Sequence, residues 1–232
     1  MSLVFDLDGL PSLAVAGTTA RLPVRRLFCI GRNYAAHARE MGRDPDREPP
    51  FFFLKPADCV VDDGATIPFP PQTEDLHHEV ELVVVLGKGG ANIAEAAALD
   101  HVWGYAVGND LTRRDLQAEA KKMARPWDLA KGFDHAAPIA AVHPVSAVGH
   151  PARGAITLHV DGVLRQSGDL SEMIWSVPEI IATLSRSLTL KAGDVILTGT
   201  PAGVGPLAVG ETCVAAIEGL GTCTTILGPR AA

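Results

Sequence analysis

A surplus of basic residues, a long apolar run and a paired-cysteine framework are all missing from this chain, and each absence removes a class of protein. Twenty Lys and Arg against 27 Asp and Glu give a formal charge of −7, which argues against a general nucleic-acid binder with its basic stripe. No uninterrupted apolar stretch approaches the ~20 residues that span a bilayer, so no membrane partner is expected. Met1 to Leu10 contains Asp6 and Asp8 and lacks a basic leader region, so no signal peptide is expected and the cytoplasm is the default compartment. The four cysteines, Cys29, Cys59, Cys213 and Cys223, are scattered among mostly apolar neighbours and read as reduced core residues. No HExxH, CxxC or GK[ST] pattern occurs. Internal repeats are absent, and biased composition is confined to the polar link Gly42–Pro50. At 232 residues the chain is one domain, or one with a small N-terminal appendage.

What is present is a series of short, β-branched runs: Leu27–Ile30, Phe51–Leu54, Val80–Leu86, Trp103–Val107, Ala155–Val160, Val163–Arg165, Val195–Thr198, Cys213–Ile217 and Cys223–Leu227. Asp161-Gly162 between two of them is a two-residue hairpin signal. Helical composition is limited to Asn33–Met41, Ile93–Leu99, Thr112–Met123 and Val177–Ser187. Many strands, few helices and no βαβα alternation predict a mixed α+β fold that is mainly β, not a doubly wound sheet.

Glu79 and Glu81 lie one residue apart in a run that otherwise reads as a buried strand. Alternate strand residues share a face about 6.6 Å apart, so the two carboxylates face one side and Val80, Leu82 and Val84 the other. Two like charges at that spacing repel by roughly 2–3 kcal/mol at an effective dielectric of ~20. A hard divalent cation between them relieves that cost; an exposed edge strand with two solvated glutamates is the alternative. A third acid, Asp110, ends the stretch Trp103–Asn109 just before the helical run that Thr112 is placed to cap. Glu79, Glu81 and Asp110 then form an oxygen-ligand set for Mg²⁺ or Mn²⁺. Zinc at His77 and His78 is disfavoured, because adjacent strand residues point to opposite faces.

His37 and Glu40 are three apart on a predicted helix, so their side chains can meet. A histidine steadied by a carboxylate is the usual form of a general base, although such a pair is also common on solvated helix faces. Arg114 and Gln117 share a face of the helix after Asp110. An arginine fork there suggests an acidic substrate, with spacing leaving open whether Arg113 or Arg114 faces inward. Lys131, a lone cation among apolar neighbours, is a second anion contact or a surface lysine covering the core with its stem. Thr198–Gly205 (TGTPAGVG) can present backbone N–H groups and Thr200 to an anion, or be a simple turn. The link Gly42–Pro50 is a mobile lid end or a solvated loop.

Taken in order, Phe28–Tyr34 (FCIGRNY), His37–Glu40 (HARE), Phe53–Pro56 (FLKP), Leu76–Glu81 (LHHEVE), Asn109–Asp115 (NDLTRRD), Leu129–Lys131 and Leu197–Gly205 (LTGTPAGVG) resemble the fumarylacetoacetate hydrolase family, in its short acylpyruvate hydrolase branch. The resemblance covers nearly the whole chain after residue 24. It implies an N-terminal extension over 1–24 and a catalytic domain over 25–230, with bent mixed sheets rolled into a barrel-like core, assembled as a homodimer. It implies Mg²⁺ or Mn²⁺ on Glu79, Glu81 and Asp110, and a His37–Glu40 dyad on a short helix that orders when ligand binds. It also sets Arg114, Gln117, Lys131 and Thr200 around a small 2-oxo acid. The implied reaction is hydrolysis of a C–C bond in an acylpyruvate. Fumarylpyruvate is the leading substrate, by likeness to short bacterial members in aromatic-ring degradation. Oxaloacetate decarboxylation, isomerisation of a 2-oxo acid, and metal binding without catalysis are the alternatives.

Overall fold

The computed structural model describes residue 4, residues 9–40 (backbone alone for 38–40) and residues 48–230. A mixed, eight-stranded sheet forms its centre, in the order Phe51–Lys55, Arg26–Gly31, Asp194–Leu197, Val80–Leu86, Val102–Asn109, Ala137–Ile139 and Val60–Asp62, with His143–Pro144 paired to Val102–Asn109. Val80–Leu86 is buried along its full length, as expected for a β-branched run with no solvent face. A second sheet of five strands runs Val163–Asp169, Ala155–Val160, Thr212–Ile217, Gly221–Arg230 and Ala65–Phe69. Its middle strands pack on Val80–Leu86 and Val102–Asn109, so one core lies between the sheets. A small sheet of Thr112–Arg113, Leu76–His78 and Gly205–Leu207 brings together the segments that flank the three acids. The curled, mainly β architecture agrees with the sequence expectation.

Local chemistry accounts for the elements. Asp161 (φ 47°) and Gly162 (φ 78°) both take left-handed backbone between the paired Val160 and Val163, as a primed two-residue turn requires. Helix Val177–Ser187 starts on a Ser176/Glu179 capping box and turns Val177, Ile180, Ile181 and Leu184 into the core, a 3.6-residue period. It packs on Glu95–His101. That segment is a 3₁₀-helix, not the α-helix expected over Ile93–Leu99, and its leading residues are tied elsewhere: Asn92 and Ile93 donate to the Ser185 carbonyl and hydroxyl (both 2.8 Å). Ser12–Ala14 pairs with Arg21–Pro23 and carries Leu13 into the core.

Thr112 does not cap a helix. It is extended and paired with His77, and its hydroxyl donates back to the Asp110 carbonyl (3.0 Å). The helix therefore spans Arg114–Lys122, with Arg113 at its N-cap and no side-chain cap. Strand Val163–Asp169 runs four residues beyond the expected Arg165, because buried Gln166 finds partners on three other segments. No described helix is long and apolar enough to cross a membrane.

Asn33, fully buried just after strand Arg26–Gly31, clasps two distant segments through three hydrogen bonds. Its amide donates to the Trp175 (2.9 Å) and Thr198 (2.8 Å) carbonyls, and its oxygen accepts from Trp175 N (2.7 Å). Gly199 (φ 92°) leaves only 2.6 Å between an added Cβ and that of Asn33, so a glycine is needed there. Replacing Asn33 by Ala strands three buried backbone groups and is expected to cost about 2–4 kcal/mol. Urea denaturation checks this as a lowered midpoint with an unchanged slope.

Candidate active site and metal centre

Glu79 follows the short strand Leu76–His78 and precedes Val80–Leu86. Asn109 Oδ1 accepts from its backbone N–H (2.9 Å), and its carbonyl accepts from Asp110 N (2.8 Å). The ends of two neighbouring strands are thereby locked with their acids converging. One oxygen from each of Glu79, Glu81 and Asp110 lies within 4.8 Å of the others. The residues are 5, 2 and 1% exposed, which removes the solvated-edge alternative.

Cations hold this cluster from behind and from one side. Lys131 Nζ reaches Glu79 Oε2 (2.8 Å) and Asp110 Oδ2 (2.7 Å), so it is a buried ion-pair partner and not a surface lysine. Arg114 donates to Glu79 Oε1, to Gln117 Oε1 (2.7 Å) and to His77 Nδ1 (3.3 Å). Arg114 is therefore the inward arginine, while Arg113 stacks on Phe133 (4.5 Å). Lys55, which sequence reasoning did not single out, lies 2.8 Å from Asp110 Oδ1. Its three protons are directed to the carbonyls of Leu111, Lys131 and Ala136 (3.0, 2.6 and 3.0 Å). Asp110 Oδ1 is consequently buried beside a positive charge but receives no hydrogen bond.

The three acids feel different fields. Burial, followed by Asp110 and Glu79, pushes the Glu81 carboxyl well above the ordinary range, although Gly199 N donates to its Oε2 (2.7 Å). For Glu79, burial works in the same direction but is outweighed by Lys131 and Arg114, which hold it below that range. Lys131 is raised, since Asp110 and Glu79 together overcome its burial. An all-oxygen donor set with one acceptor left unbonded and one carboxylate crowded by like charge fits a hard divalent cation. It does not suit zinc. His77 bonds Asp75 Oδ1 (2.9 Å) and His78 bonds Gln166 Oε1 (2.9 Å), and burial lowers both rings toward the neutral form.

These acids line a pocket of about 140 Å³ together with His37, Arg114, Gln117, Lys131 and Thr200, and with half-buried Arg32, Phe53 and Trp127 and exposed Lys121. Helix Ala35–Glu40 carries buried His37. The Glu40 side chain and residues 41–47 of the polar link lie outside the described residues. Thr200 is oriented by Gln166, whose Nε2 donates to its hydroxyl (2.7 Å) and to the Pro201 carbonyl (2.9 Å). Gln166 Oε1 accepts from Val80 N (3.1 Å), so one buried amide joins Thr200 to the strand between the two glutamates. Gln166 falls just beyond the strand expected over Val163–Arg165, so it carried no sequence signal of its own. The glycine-rich turn gives the Gly199 N–H to Glu81, an internal anion.

Residues 26–227 match the family model described as fumarylacetoacetate (FAA) hydrolase C-terminal. The mitochondrial oxaloacetate tautomerase FAHD1 of Arabidopsis thaliana is 46% identical over 195 residues, which is 84% of this chain and 87% of that protein. A crystal structure of fumarylpyruvate hydrolase from Pseudomonas aeruginosa, in complex with Mn²⁺ and pyruvate, is 50% identical and superposes with a TM-score of 0.96 over 99% of this chain and 100% of that one. Another, from Burkholderia cenocepacia and provisionally assigned as a fumarylpyruvate hydrolase, is 55% identical with a TM-score of 0.94 over 100% of both chains.

Glu81→Gln keeps the shape of the site and removes one charge from the crowded set. Its Mn²⁺ affinity, measured by calorimetry, is expected to fall by more than the roughly 10–100-fold that loss of an outer partner costs. Its thermal midpoint without added metal should be no lower than that of the parent chain.

Proposed function

The chain belongs to the fumarylacetoacetate hydrolase family, and from that premise we propose that it hydrolyses the C–C bond of an acylpyruvate of the fumarylpyruvate type, giving pyruvate and a carboxylic acid. The observation that carries this reading is the make-up of one pocket. An oxygen-donor metal cluster, a histidine outside that cluster, and an arginine and a lysine engaged with its acids all line the same small cavity. Full-length likeness at 50% identity to a fumarylpyruvate hydrolase bound to Mn²⁺ and pyruvate supports it.

Glu79, Glu81 and Asp110 are the residues that would hold Mg²⁺ or Mn²⁺. When bound, the ion supplies Lewis acidity for the negative charge that C–C cleavage leaves on the pyruvoyl oxygen. The chain's own residues do the rest. His37 takes a proton from water, and the hydroxide attacks C4. Glu40, one helical turn away, steadies the resulting imidazolium. The C3–C4 bond breaks with its electron pair delocalised toward the C2 oxygen, and His37 returns the proton to C3. Arg114 and Gln117 hold the substrate carboxylate, with Thr200 as a further polar contact. Lys131 holds a substrate oxygen or offsets charge at C4. Burial of the cluster strengthens each of these interactions. The expected assembly is a homodimer, which sedimentation velocity tests.

A second reading has its own support in the 46% identity to mitochondrial oxaloacetate tautomerase. In it the same pocket interconverts the enol and keto forms of oxaloacetate, and His37 moves a proton at C3 with no attacking water. A panel of fumarylpyruvate, acetylpyruvate and oxaloacetate separates the two. Release of pyruvate from an acylpyruvate is the expected result; oxaloacetate tautomerisation with no pyruvate from either acylpyruvate overturns it in favour of the second reading. His37→Ala should lower kcat by roughly 10²–10⁴-fold while calorimetric Mn²⁺ affinity persists. Arg114→Lys should weaken competitive inhibition by oxalate although the charge is kept, because the two-pronged contact is lost.

A further inference from the structure

The pocket has more positive charge than its acids use. Arg114 and Lys131 are bonded to Glu79 and Asp110, but Arg32 and Lys121, which line the same pocket, touch none of the three acids within hydrogen-bond or ion-pair distance. Lys121 has no carboxylate partner among the described residues. It sits exposed on helix Arg114–Lys122 with its ammonium 5.0 Å from the Trp127 ring. Burial of that end, followed by the like charges of Arg114 and Arg32, brings its pKa down to about 8. Glu79 acts on it in the opposite sense but is outweighed, and a lysine held among cations gains from any anion that joins it.

Arg32 is placed there at a cost. Its backbone is left-handed (φ 61°), a conformation that a long side chain adopts only when its surroundings impose it. Those surroundings are the end of strand Arg26–Gly31 on one side and the clasped Asn33 on the other. Among the described residues the one carboxylate near its guanidinium is Glu48, exposed and 3.8 Å away, beyond hydrogen-bond distance. Four cationic side chains thus line a pocket with three acids, before a divalent ion adds its own charge. A monoanionic acylpyruvate leaves Arg32 and Lys121 unmatched, whereas a dianion with its second charge at the far end does not.

We propose that Arg32 and Lys121 form a subsite for a second carboxylate at the distal end of the acyl group, so that the enzyme selects dicarboxylic acylpyruvates. This rests on the hydrolase reading above and adds the residues that would select its substrate. The same pocket is lined by Phe53 and Trp127, whose rings lie 5.6 Å apart. That apolar wall suits the carbon chain joining two carboxylates and offers nothing to a polar acyl group.

The test compares kcat/KM for fumarylpyruvate with that for acetylpyruvate, which lacks the distal carboxylate, in the Mn²⁺-loaded wild type, Lys121→Gln, Arg32→Gln and Arg32→Gly. Glycine accepts the left-handed backbone, and Lys121 lies on an exposed helix, so the set includes variants that fold. The ratio is expected to fall at least tenfold in each variant, mostly through KM for fumarylpyruvate. A ratio within twofold of wild type in the folded variants, or proportional loss on both substrates, overturns the subsite alone. A wild type that cleaves neither substrate overturns the hydrolase reading, and the subsite with it.

Discussion

Three carboxylates share one buried point, and nearly every polar feature around the site answers to that charge. Taking carboxylates out of water costs several kcal/mol each unless partners and hydrogen bonds compensate. Lys131 bridges Glu79 and Asp110, Lys55 stands behind Asp110 as well, and Arg114 closes on Glu79, which among the described residues leaves Glu81 with no cationic side chain against it. The compensation is uneven. Glu79 is overmatched with positive charge, while Glu81 has a backbone N–H and two acidic neighbours. That imbalance marks where a further cation belongs, because a fully satisfied ion-pair network would have nothing to offer one.

The frame is built to keep the imbalance from relaxing. Asn109 and the Asp110 N–H fix Glu79 through its backbone, so its carboxylate has little freedom to turn toward solvent. Gln166 and Asn33 do similar work at a distance, each spending a buried amide on several backbone groups from remote segments. Such fully bonded polar groups rigidify a core more than apolar packing does.

Much of the site was legible because its signals are local. A period of two placed Glu79 and Glu81 together, and the acid at the end of a strand supplied Asp110. Spacing alone left Arg113 and Arg114 open, and the resemblance pointed to Arg114; the physical reason lies in the helix start, which moved when Thr112 paired with His77 instead of capping. Lys55, Gln166 and Asn33 carry no comparable mark. Their partners are carbonyls and amides from distant segments, and no spacing along the chain encodes such a meeting. The fold divides in the same way. Strands with a β-branched run of four or more were readable. The two- and three-residue strands, and the polar half of Val163–Asp169, were not, since tertiary pairing rather than propensity makes them.

The long-range pairing of Ala65–Phe69 with Gly221–Arg230 has a consequence for how the protein comes into being. The pocket takes residues from Ile30 to Thr200, and the five-stranded sheet is completed only by strand Gly221–Arg230. Non-local parallel pairings close large loops before contacts reward them, and chains rich in them fold slowly. During synthesis the acids emerge well before Lys131, at ~5–20 residues per second, so the nascent chain holds Glu79, Glu81 and Asp110 without that lysine for seconds at most. Lys55 is made before the three acids and Lys131 after them, so the carboxylates can be drawn together fully only once the later lysine joins the earlier one.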